Sequence, residues 1–201
     1  MILKRNSYFI ISGLLMCFAF YSCKKKQASA KEYVSYIEDE SNGLKVSKNI
    51  GDIHYSIQYK TTDYIIVKEK KNSIDKQNRQ EKLDGMQYYT VSYSLVGSNQ
   101  DIMRKDLGGD GEYYERVNYF SFGFQNDIYL VEGNDTLECK LYNYVRSFGL
   151  SPRADFVIAF DKKQKKEIED KLVVLEDKVF GGGIIKLKIT KKNIESLPEL
   201  I

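Results

Sequence analysis

The chain has no tryptophan, two prolines and one histidine, His54, and its three cysteines are Cys17, Cys23 and Cys139. Each shortage excludes something. With one histidine, any Ser-His-Asp or Cys-His catalytic set has to run through His54. That residue falls on the polar side of an alternating segment and reads as an ordinary exposed side chain. Cys139 is the one cysteine beyond residue 23, so the bulk of the chain has no internal disulfide to form. One histidine and one such cysteine also fall short of a standard zinc site. No metal and no cofactor are expected. Few prolines, with 42% hydrophobic and 29% charged residues, argue against a disordered chain. A formal charge of +3 over 201 residues makes no electrostatic case for nucleic acid.

What is present begins at the N-terminus. Lys4 and Arg5 precede an uncharged apolar run from Tyr8 to Phe20, and Lys24-Lys25-Lys26 ends it. A secretory signal has a basic start and an apolar stretch of about 7–15 residues. A membrane-spanning helix needs about 20. The run is of the first kind, a cleaved signal over residues 1–22. Phe20-Tyr21-Ser22-Cys23 resembles the bacterial lipobox, whose usual form is Leu, a small residue, Gly or Ala, then Cys. Ser22 and Cys23 fit it; Phe20 replaces leucine, and Tyr21 is larger than the pattern asks. The resemblance implies a diacylglycerol on the Cys23 thiol, removal of the segment before it and acylation of the new amino terminus. Several acyl chains make a stable anchor where one is marginal. No acidic residue directly follows Cys23, which points to the periplasmic side of the outer membrane rather than to surface export.

Residues 23–40 are expected to be the lipidated cysteine and a tether, with a short amphipathic helix in 31–40, and 41–201 a single β-rich domain. Ile53, Tyr55, Ile57 and Tyr59 alternate with His54, Ser56, Gln58 and Lys60, the period of a half-buried strand. Tyr89, Val91, Tyr93 and Leu95 alternate with Thr90, Ser92 and Ser94 in the same way. Phe120, Phe122 and Phe124 read as one strand face. Leu137, Cys139, Leu141, Asn143 and Val145 read as an inward set, with Tyr142 and Tyr144 outward. Phe156–Phe160, Leu172–Leu175 and Ile184–Ile189 read as strands, the last two separated by Gly181-Gly182-Gly183. Residues 68–84, highly charged, read as a long loop or an exposed hairpin tip, and the charged run Asp161–Lys171 as a solvated loop. Ile194, Leu197 and Leu200 suggest a short closing helix. This is an all-β pattern, mainly antiparallel, of a β-sandwich with short terminal helices. Its architecture resembles the immunoglobulin layout without that family's disulfide and tryptophan.

The chemistry-bearing candidates are few. Asp106 to Glu112 faintly resembles a calcium loop, but Gly108 and Val117 occupy positions that need oxygen ligands. The three glycines lack the lysine of a phosphate loop. Sixteen tyrosines are present, and Tyr88, Tyr142 and Tyr144 are assigned to outward faces as partner contacts, since tyrosine supplies rigid amphipathic area at interfaces. The expected function is that of a non-enzymatic cell-envelope lipoprotein. It is held to the membrane by its lipid and binds a protein partner or envelope component. The alternatives are an immunity-like inhibitor of a periplasmic toxin or hydrolase, and a glycan-active enzyme using carboxylates.

Overall fold

The structure, a computed structural model, describes residues 25–70, 73–163 and 167–201. The signal segment, Cys17 and Cys23 lie outside them. The chain is mostly β, with two antiparallel sheets packed face to face. Strands β2 (Lys45–Ile50), β3 (Ile53–Lys60), β4 (Met86–Leu95), β7 (Leu141–Val145) and β8 (Ala154–Asp161) form one sheet in the order β2-β3-β4-β8-β7. Strands β5 (Ile128–Glu132), β6 (Asp135–Glu138), β9 (Lys171–Asp177) and β10 (Gly183–Ile189) form the other, in the order β10-β9-β5-β6.

The core follows from period two. Tyr55, Tyr89, Tyr93, Phe156 and Phe160 all point inward and are fully buried. Tyr93 is the hub. Its ring meets Tyr55 at 4.7 Å, Phe156 at 5.6 Å and Phe124 at 5.7 Å, each edge to face. Aromatic pairs in this geometry are worth about 0.5–1.5 kcal/mol beyond the area they bury. Two polar ties cross between the sheets. The Tyr55 hydroxyl donates to the buried Asp177 carboxylate at 2.6 Å. Gln87 donates to Glu132 at 3.1 Å, and Glu132 is also ion-paired with Lys171, all three buried.

The glycine run forms the β9–β10 turn around Asp177, which accepts backbone N–H bonds from Val179, Phe180 and Gly182. A Cβ on Gly182 would lie 2.4 Å from the Tyr55 hydroxyl oxygen, so close approach requires glycine there.

The N-terminal boundary differs from expectation. Residues 27–40 belong to the domain. Strand β1 (Gln27–Ala28) pairs in parallel with β11 (Glu199–Leu200). Ser29 then caps α1 (Ala30–Glu38) in a reciprocal box with Glu32, a Ser-x-x-Glu signature. Tyr33 and Ile37, four apart, bury one face of α1 in the core. At the other end α5 (Lys191–Glu195) buries Ile194, and the chain finishes in β11 rather than in the helix.

Three more local readings are corrected. Residues 68–84 are largely helical, not a loop or hairpin tip. Helix α2 (Thr62–Glu69) starts at a Thr61 cap, and α3 (Ser73–Leu83) follows. Tyr64, Ile66 and Leu83 are buried while the charges face out, with Arg79 gripping Glu69 through two nitrogens. Phe120 and Phe124 lie not on a strand but in a wide helical turn after α4 (Asp110–Asn118). Four residues apart they share a face and are fully buried, whereas Phe122 is 77% exposed. The alternation read through Leu137–Val145 reverses at Cys139-Lys140, where the chain leaves one sheet for the other. Beyond it, Tyr142 and Tyr144 turn inward and Leu141 and Val145 outward. Cys139 itself is buried, as expected.

Tyr93 carries a hydroxyl that is buried without a hydrogen-bond partner, a group that costs about 1–3 kcal/mol. Tyr93→Phe is expected to keep the fold and raise unfolding free energy by up to about 1 kcal/mol. Tyr55→Phe, which strips a donor from Asp177, should lower it by about 1.5–3 kcal/mol. Urea denaturation of both variants checks the pair, and the opposite ranking would contradict this account of the core.

Candidate functional site

Rings on the inner face put small polar residues on the outer face of the five-stranded sheet. The register sets them in rows. Asn49, His54 and Ser94 lie side by side on β2, β3 and β4. The next row is Ser47, Ser56, Ser92, Asp155 and Val145, running from β2 to β7. The third is Lys45, Gln58, Thr90, Val157 and Asn143. A fourth, Lys60, Tyr88, Ala159 and Leu141, is largely roofed by α2 and α3, with Ile66 and Leu83 packed on Tyr88 and Ala159. Apart from Ser47, Asn49 and Asn143, the first three rows line an open trough of about 650 Å³, together with Glu38, Lys60 and Arg153.

Most charges here are matched locally. Glu38 accepts from the Tyr64 hydroxyl at 2.7 Å and from Lys68 at 3.1 Å, and the Tyr64 bond above all holds its carboxyl below the usual glutamate range. Lys45 pairs with Glu40 at 3.0 Å. Asp155 accepts from Ser92 at 2.5 Å and faces Arg153 at 3.5 Å. Lys60 is different. It is half-buried, and among the described residues it has no carboxylate within ion-pair distance. Burial pulls its pKa below the usual lysine value, opposed by the field of Asp155.

A second concavity, of about 510 Å³, lies on the other side of Lys60, under α3. The Glu132–Lys171 pair and Gln87 line it, and the Lys163 ammonium donates to the Glu132 carbonyl at 2.7 Å. The charged run Asp161–Lys171 is therefore not solvated throughout, because its last residue is buried. Removing one member of such a pair strands the other charge, so this cluster reads as structural.

Of the three tyrosines assigned to outward faces as contacts, Tyr88 lies on the outer face but is covered, and Tyr142 and Tyr144 turn inward. Tyr88 is only 7% exposed, beneath α2 and α3. Tyr142 donates its hydroxyl to the Phe120 carbonyl at 2.5 Å, and Tyr144 stacks on Phe156 at 5.3 Å. For Tyr142 and Tyr144 the outward assignment failed because the face switches at Cys139-Lys140. His54 does lie on the trough, next to Ser94. Its Nδ1 is bonded to the Asn49 side-chain oxygen at 2.6 Å, and the Ser92 hydroxyl is bonded directly to Asp155, with no imidazole between them. Asp106 pairs with Lys105, and Glu112 accepts from the Gly108 N–H at 2.8 Å. Among the described residues no three His, Cys, Asp or Glu side chains are grouped to hold a metal ion, and no helix is long and apolar enough to cross a membrane.

Sequence reasoning did not pick out Lys60, Gln58 or Thr90 as a site. The available signal was the run of hydroxyl residues on the polar half of two adjacent alternating strands. No family model, curated protein or solved structure matches this chain.

Cys139 donates to the Leu141 carbonyl at 3.1 Å, and burial pushes its thiol from 9.0 up to about 11. The folded state thus holds the proton more tightly than the unfolded one. That contribution is complete below pH 9 and lost as pH rises towards 11. Between these values the natural chain should lose about 2–3 kcal/mol more stability than Cys139→Ala does. The thiol should also resist iodoacetamide at neutral pH until urea unfolds the chain. Rapid labelling of the folded protein would contradict this placement.

Proposed function

We propose that the chain is a lipid-anchored protein of the cell envelope, held through Cys23 at the outer membrane on the periplasmic side. In this reading it binds an envelope component or protein partner through the outer face of its five-stranded sheet, without transforming it. The observation that carries the binding assignment is the trough itself. Its floor presents the half-exposed polar side chains of His54, Gln58, Ser92 and Ser94, and among the described residues Lys60 at its edge has no carboxylate within ion-pair distance. Such a surface is hydrated when free and can exchange that water for a polar ligand's hydrogen bonds.

The anchor assignment rests on the basic start, the short apolar run and the cysteine that ends it. The packed domain begins at Gln27, four residues after Cys23. A chain of that length spans at most about 14 Å. Anchored so, the domain stays close to the bilayer, with Lys24, Lys25 and Lys26 at headgroup level, each worth about 1 kcal/mol on an anionic surface.

Metabolic labelling with an alkyne fatty acid tests the anchor. The natural chain should take up label and sediment with membranes, and Cys23→Ala should do neither. Equal labelling of the two chains, or an intact Met1 terminus recovered from cells, removes this reading. A photo-cross-linker at Val145, on the trough, should give adducts in the native envelope that one at Lys186, on the other sheet, does not.

A further inference from the structure

We infer that the trough is a seat for an acidic saccharide, whose single carboxylate is received by Lys60 and whose hydroxyls are received by the floor of β3 and β4. The inference rests on the binding role proposed above and names the class of ligand.

The charges come first. Glu38 has Lys68, Lys45 has Glu40 and Asp155 has Arg153, each within 4.0 Å. Lys60, at the end of β3, is the group on the trough left over. No residue outside the described ones carries a carboxyl side chain, so the chain's own acids do not supply the missing partner. The Tyr64 ring lies 5.9 Å from the ammonium and gives a weak cation–π contact. A partly desolvated ammonium without a counter-ion is costly, and an incoming anion relieves that cost with a charge-assisted hydrogen bond. One spare positive charge calls for a monoanion. A dianionic phosphate would need further donors, and Arg153 is already engaged with Asp155.

The floor decides what carries the anion. Gln58, His54, Ser92 and Ser94 are half-exposed side by side on β3 and β4, while Ser56 is 7% exposed and the Thr90 hydroxyl is buried without a hydrogen-bond partner. Hydroxyl and amide groups both donate and accept, which is the complement of a polyol. An extended peptide recognised by strand addition needs a free sheet edge, and β3 and β4 are both interior strands. The volume of the trough, about 650 Å³, suits an oligosaccharide of a few sugars.

Isothermal titration of the purified natural chain with three probes tests this: 3′-sialyllactose (a trisaccharide with one carboxylate), neutral maltotriose and a triglutamate peptide. Sialyllactose should bind, and more weakly as salt is raised. Maltotriose should bind at least tenfold more weakly, and triglutamate should give no comparable heat. Lys60→Met should weaken sialyllactose binding about tenfold or more, Lys60→Arg should stay within about threefold, and Lys186→Met should change nothing. Ser94→Leu crowds the trough at the end away from Lys60 and should cost fivefold or more, which keeps the question answerable should Lys60→Met fail to fold. Equal binding of maltotriose, preference for triglutamate, unchanged binding by both Lys60→Met and Ser94→Leu, or silence from all three probes would each overturn the saccharide assignment. Fatty-acid labelling at Cys23 is read separately, so the anchor and the ligand class stand or fall independently.

Discussion

The structure depends on the packing of aromatic rings around Tyr93. Tyr55, Phe120, Phe124, Phe156 and Phe180 all approach that ring, and they come from strands of the five-stranded sheet, from the helical turn after α4 and from the β9–β10 turn. Strand geometry then dictates the opposite face. Where β4 points Tyr89, Val91 and Tyr93 inward it points Thr90, Ser92 and Ser94 outward. A slip of one residue would put those hydroxyls in the core and the rings in water, so the core fixes the register and the register fixes the trough.

Buried charge plays two roles in this fold. Asp177 and Glu132 lie at opposite ends of the sandwich and are saturated: the first by a tyrosine hydroxyl and three backbone N–H groups, the second by Gln87 and Lys171. Asp127, between Tyr119 at 2.6 Å and Lys178 at 2.5 Å, follows the same rule. Fully satisfied groups of this kind hold sheets in place and offer little to a ligand. Lys60 breaks the rule. Local acids serve other partners, because α1 brings Glu38 to Tyr64 and Lys68. The contrast between saturated and unsaturated charge separates scaffold from site here more sharply than residue type does.

Much of this was legible in the residues. The alternation of β3 and β4, the apolar run of β8 and the buried thiol all follow from period. The failures have physical causes. Helix α2 offers four consecutive apolar residues, Tyr64–Val67, which carry no period, and α3 has so few apolar side chains that its charges read as a loop. The Phe-x-Phe-x-Phe spacing imitates a strand, and only the burial of Phe120 and Phe124 without Phe122 distinguishes the helical turn. Tyr142 and Tyr144 were misplaced because a strand that changes sheets also changes phase. The site was the least visible part, since cross-strand neighbours are set by pairing and not by distance along the chain.

The position of the trough relative to the chain's entry bears on how the two proposals fit together. Lys60 is followed at once by Thr61, whose hydroxyl meets Tyr33 of α1 at 2.9 Å, and α1 begins directly after the β1–β11 pair. The cationic end of the trough and the N-terminal entry therefore lie at the same end of the sheet. His54 and Ser94 lie towards the other end, about 20 Å along β3 and β4 at the rise of an extended strand. A domain held there by a lipid on Cys23 would present Lys60 towards the membrane side and the hydroxyl rows away from it. The carboxylate of a bound saccharide would then enter near the bilayer. There the flanking lysines would lower the cost of bringing a negative charge to the surface, so the proposed anchor would favour the same ligand charge as the one proposed for the trough.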